Sequence, residues 1–111
     1  MKSRLAQNPF PAVSSALATL GGAVRRARVR RGIVVADMAK RCLVSPATYL
    51  KLEAGSPTVN LAVLGAALHA LGMEDRLARL LESDPQGEAM EERKAPKRGR
   101  RPVSDIPGID S

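Results

Sequence analysis

Residues 33–55 read IVVADMAKRCLVSPATYLKLEAG. The stretch divides into helix, tight turn and helix. Met38, Ala39 and Cys42 recur at the spacing of one helical face, which predicts a short helix over 35–42 with those three turned inward. Ser45-Pro46 opens a second helix. A serine at the N-cap accepts from an orphan amide of the first turn, and proline suits the first helical position because its missing N–H has no partner there. This helix runs to Glu53 and is stopped by Gly55. It has two unlike sides: Pro46, Ala47, Thr48 and Lys51 are expected outward, Tyr49 and Leu52 inward.

Outward from this stretch the period stays helical. Leu17, Leu20, Val24 and Ala27 form one stripe of a preceding helix, for which Ser14 or Ser15 is the expected N-cap and Gly32 the stop. Gly21-Gly22 inside it either weakens the helix or admits another backbone at close range. After Asn60, Leu61, Leu64, Leu68 and Leu71 define a fourth helix that ends at Gly72. A fifth is expected over 74–81, with Met73, Leu77, Leu80 and Leu81 apolar. No segment alternates with period two. The expected class is therefore all-α: a compact five-helix domain over 14–83. It is flanked by a flexible N-terminal extension, 1–13, and a charged C-terminal tail, 84–111, both expected to be disordered. Asp84-Pro85-Gln86-Gly87 reads as a turn or breaker.

Composition narrows the functional classes. Among 111 residues there is one Phe, one Tyr and no Trp, so the core is built from Leu, Val and Ala. Lys and Arg number 18 against 11 Asp and Glu, a net charge of +7, which favours a polyanionic partner. One cysteine, Cys42, precludes an intramolecular disulfide, and with His69 the only histidine no usual zinc cluster is available. No apolar run reaches the ~20 residues of a membrane span. No signal peptide is supported, so the expected compartment is the cytoplasm. No nucleophile–base pair, carboxylate dyad or phosphate loop is visible, so an enzyme is not expected, nor a cofactor. A basic membrane-surface protein is disfavoured because the apolar faces are better explained by mutual burial.

Helix, turn and a capped second helix make the helix-turn-helix arrangement, in which the second helix enters the major groove. The residues Arg28-Val29-Arg30-Arg31-Gly32, Met38-Ala39, Val44-Ser45-Pro46-Ala47-Thr48 and Leu52-Glu53-Ala54-Gly55, with 64–72 beyond, resemble the Cro/C1 (XRE-type) helix-turn-helix regulators. The segment from Pro57-Thr58-Val59-Asn60-Leu61 through Leu71-Gly72-Met73-Glu74-Asp75-Arg76-Leu77, followed by 84–87, is similar to the HipB-like antitoxins encoded beside HipA-like kinase toxins.

The resemblance implies a lambda-repressor-like domain whose third helix reads double-stranded DNA. Pro46, Ala47, Thr48 and Lys51 would approach base edges, with Ser45 near a phosphate. Arg28 and Glu53 match a structural ion pair tying the first helix to the third. Met73, Leu77, Leu80 and Leu81 would contribute to a homodimer. The implied function is a repressor autoregulating its own operon, nucleoid-associated in the cytoplasm; the alternative is an antitoxin that neutralises a HipA-like kinase.

The sequence also departs from that family. Val34 and Val35 stand where the pattern has a capping Thr or Ser and a phosphate-touching Gln, and Leu43 where the turn usually has Gly. Phosphate affinity would then come from Lys40 and Arg41 or from Arg25, Arg26, Arg30 and Arg31. The arginines of 25–31 read equally well as a solvated helix face. Lys51 is the best single candidate for a base or phosphate contact. Leu50 falls outward, suited to thymine methyls or a partner protein, though single exposed leucines are ordinary. Cys42 is expected to fill a core site, Tyr49 to pack with its hydroxyl at the edge, and His69 to lie at the surface or partly buried rather than to act as a ligand. The basic run 93–102 faintly resembles an AT-hook broken by an extra arginine. It suits a phosphate-binding or solubilising tail, or a toxin contact, and the acidic run 82–92 is expected to be solvated.

Overall fold

Local backbone and side-chain chemistry sets most of the helix boundaries. A computed structural model of the chain describes residues 10–94. The first helix, α1 (Pro11–Arg30), starts three residues before the expected serines. Pro11 takes its first turn and Phe10 its N-cap, with no side-chain cap. Then come α2 (Val35–Arg41), α3 (Pro46–Glu53), α4 (Leu61–Ala70) and the short α5 (Glu74–Ala78). Two of these five starts are capped by side chains. Ser45 Oγ accepts from the Thr48 amide at 3.1 Å, and Asn60 Oδ1 from the Val63 amide at 3.0 Å. The architecture is all-α, with no strand among the described residues.

The first four helices end alike. After each, the residue past the C-cap sits in the left-handed region, and the next amide reaches back to the third carbonyl from the end: Ile33 to Arg28, Val44 to Ala39, Ser56 to Lys51 and Met73 to Leu68. Three of these positions are glycine; the fourth is Leu43, at φ 59°.

The core gathers Val24 and Ala27 of α1, Met38 and Ala39 of α2, Tyr49 and Leu52 of α3, Val63 and Ala67 of α4, and Ile33, Cys42 and Leu71 from the connections. The apolar face of α4 differs from the expected leucine stripe. Val63, Ala67 and Leu71 point inward, Leu64 and Leu68 are half-buried, and Leu61 is exposed. In a helix this apolar, periodicity alone leaves the inward face undetermined, and packing against α2 and α3 selects it. In α1, Leu20 is likewise exposed.

Gly21 and Gly55 let α1 and α3 meet backbone to backbone. A Cβ at Gly21 would lie 2.6 Å from the Leu52 carbonyl oxygen, and one at Gly55 2.8 Å from Ala18 Cα. Gly22 has no such neighbour.

The chain divides into two compact units at Leu80. The second contains a sixth helix, α6 (Pro85–Lys94), where a disordered tail was expected. Asp84-Pro85 is a helix start rather than a breaker: Asp84 Oδ1 accepts from the Gly87 amide at 3.0 Å and Pro85 takes the first turn. Glu88 near the start, with Arg93 and Lys94 in the last turn, suits the helix dipole. The rest of the basic run, 95–102, lies outside the described residues, as do residues 1–9 of the N-terminal extension. No helix among the described residues is long and apolar enough to cross a membrane, and they contain no group of three metal-ligating side chains.

Candidate nucleic-acid interface

The proposed reading helix, α3, is held by one buried charge centre. Arg28 Nε donates to Glu53 Oε2 at 2.6 Å and Nη2 to Oε1 at 3.2 Å, a fork-on-fork pair between the end of α1 and the last residue of α3. The two side chains are only 10% and 6% exposed. Arg28 Nη1 also donates to the Ile33 carbonyl at 2.8 Å, so one guanidinium clamps α1, the α1–α2 connection and α3. The fully buried Tyr49 donates its hydroxyl to Glu53 Oε2. No buried side-chain polar atom among the described residues lacks a partner.

Burial pushes the Glu53 carboxyl up, but hydrogen bonds from Arg28 and Tyr49 and the Arg28 charge outweigh it and hold it below its ordinary range. The Tyr49 phenol moves up, through burial first and the Glu53 carboxylate second. Arg28 is held protonated by its hydrogen bond to Glu53. The centre is therefore a carboxylate, a guanidinium and a neutral phenol.

With Tyr49 and Leu52 buried, α3 turns Pro46, Ala47, Leu50 and Lys51 to solvent, and Ala54 continues the row past its end. Thr48, expected among the outward residues, is half-buried, and its Oγ1 accepts from Ser45 Oγ at 3.1 Å. Leu50 is 47% exposed. Lys40 and Arg41 are exposed at the end of α2, where Arg41 pairs with Asp37 at 3.3 Å. Val34 caps α2 without a side-chain hydrogen bond.

The arginines of α1 separate by role. Arg28 is internal, whereas Arg25, Arg26, Arg30 and Arg31 are exposed, and Arg31 Nη1 bonds the Ala27 carbonyl at 2.8 Å. Arg26 and Arg30 border a groove of about 400 Å³ floored by Leu20, Leu64, Leu68 and Leu77. Met73, Leu77 and Leu80 line it too, whereas Leu81 opens the second unit, 87% exposed. Cys42 is buried, and burial pushes its thiol up; His69 is exposed, with Nδ1 3.6 Å from Glu74.

Residues 19–81 match the family model described as Helix-turn-helix domain, more than half of the chain. No curated protein and no solved structure matches the chain at a significant level.

Proposed function

Because the chain belongs to the helix-turn-helix domain family, we propose that it is a homodimeric, sequence-specific DNA-binding repressor. It acts by occupying an operator in its own promoter, with no chemistry of its own, in the cytoplasm and on the nucleoid. The observation that carries this reading is α3: an N-capped helix, locked from behind by Arg28 and Glu53, with one whole side in solvent. A braced helix with a free face is what insertion into the major groove requires. Ser45, Pro46, Ala47, Thr48 and Lys51 form the reading end, and Lys40 and Arg41 supply phosphate contacts. Leucines 77, 80 and 81 with Met73 join two copies. Leu80, 70% exposed beside the groove, supports this role.

Footprinting on the DNA upstream of the protein's own reading frame, across a salt series, tests the proposal. The expected result is a protected, roughly palindromic site with affinity falling steeply as salt rises. Lys51→Ala is expected to lose roughly 1–3 kcal/mol if it reads guanine, or to lower the salt slope by about one if it neutralises a phosphate. Unchanged affinity and unchanged site preference would remove α3 from the interface.

The second reading is an antitoxin for a HipA-like kinase, favoured by the resemblance through 57–77. It is compatible with operator binding. Co-purification with a kinase encoded next to this gene tests it, and deletion of 88–111 separates a contact made by the folded domain from one made by the tail.

A further inference from the structure

We propose that Leu50, flanked by Pro46, Ala47 and Ala54, reads the 5-methyl groups of thymines in the major groove, so that site choice rests largely on where thymines fall. This rests on the DNA-binding reading above and specifies what the same helix face recognises.

The exposed row of α3 contains four apolar residues and one polar one, Lys51. The remaining polar side chains near its start are engaged with each other: Ser45 Oγ accepts from the Thr48 amide and donates to Thr48 Oγ1. No Asn, Gln or Arg stands on α3 for bidentate contacts to adenine or guanine, so any guanine readout on this helix falls to Lys51 alone. Within the groove, thymine alone presents a methyl group, and an apolar side chain is its natural complement. A cytosine in the same place would set its amino donor against hydrocarbon and leave it unpaired.

Leu50 lies four residues after Pro46 and four before Ala54, and three after Ala47, which puts all four on one side of the helix. The three neighbours are small, so the helix can approach the groove floor closely, with Leu50 the longest apolar reach. Lys51 adjoins this side, and Lys40 and Arg41 are exposed at the end of α2. Apolar centre and cationic surroundings complement methyl-bearing base edges between two phosphate chains, which favours duplex DNA over a protein partner as the occupant.

The test uses the full chain. Binding sites are selected from random duplex DNA, and the best site is resynthesised with uracil in place of each thymine in turn. Uracil deletes the methyl and keeps every hydrogen-bonding group. At one or two thymines per half-site, uracil is expected to weaken binding about fourfold per methyl. Leu50→Ala is expected to bind the thymine and uracil forms equally, while Lys51→Ala binds both more weakly and keeps the ratio between them. Because Leu50 is exposed, the variant's thermal unfolding should match the parent's, which separates readout from folding. Equal binding of the thymine and uracil sites by the parent, or an undiminished ratio in Leu50→Ala, overturns this proposal and leaves DNA binding standing. Failure to select any duplex overturns both.

Discussion

Gly21 of α1 lies directly against the Leu52 carbonyl of α3, so close that a Cβ on Gly21 would stand 2.6 Å from that oxygen, with the Glu53 carbonyl nearer still. Helix α3 is therefore seated on bare backbone at Gly21, where a side chain cannot be tolerated.

The neighbouring glycine supplies the control. Alanine is the better helix former by about 1 kcal/mol, and at Gly22 its Cβ would meet only Arg26 Nη1, at 3.6 Å. Gly22→Ala is expected to stabilise the domain by up to about that amount. Gly21→Ala is expected to destabilise it by roughly 1–3 kcal/mol despite the same propensity gain, because the obstacle is backbone. Urea unfolding of the two variants, followed by circular dichroism, gives opposite signs; like signs would contradict the seating of α3 on α1.

Removing one member of the charge centre leaves the other stranded. Arg28→Met is expected to lose about 3–5 kcal/mol, because Glu53 stays buried without its guanidinium. The triple variant Arg28→Met, Glu53→Leu, Tyr49→Phe removes every charge and hydroxyl together and is expected to be more stable than the single one. Denaturation midpoints of single and triple variants check this.

The same centre makes stability depend on pH at both ends. Glu53 titrates below its ordinary 4.5 in the folded chain, so its contribution is complete above about that pH and is lost as pH falls through the lower folded value. Tyr49 titrates above its ordinary 10.0, so its contribution is complete below that pH and is lost as pH rises through the higher folded value. Chemical denaturation across pH is expected to show both losses, with Tyr49→Phe lacking the alkaline one due to the phenol. Since the chain has one Tyr and no Trp, phenolate absorbance follows this residue alone.

Two positions on the helix-turn-helix stretch carry residues that oppose their backbone roles. Val34 caps α2 with no side-chain hydrogen bond, and Val34→Thr is expected to add about 0.5–2 kcal/mol by accepting from the first turn. Leu43 occupies the left-handed position after α2 while 91% exposed, so its side chain gains little from packing. Leu43→Gly is expected to relieve about 1–2 kcal/mol of backbone strain, offset in part by glycine's freer unfolded chain. A net rise in melting temperature for each substitution checks both arguments.

What could be read from residues alone was what residues decide within a few positions of themselves. Helical periodicity, the Ser45-Pro46 and Asn60 starts and the glycine stops act across one to four residues, and they established the all-α class and most helix boundaries. Asp84-Pro85 carried the same kind of signal as Ser45-Pro46, and only its charged, proline-bounded context made it read as a breaker. Contacts across the fold were another matter. Which face of α4 turns inward and which of two adjacent glycines is indispensable depend on groups brought together from different helices, and Arg28 reaches Glu53 across 25 residues. Sequence spacing is silent there, because burial and close approach are properties of packed surfaces and are settled only when the helices meet.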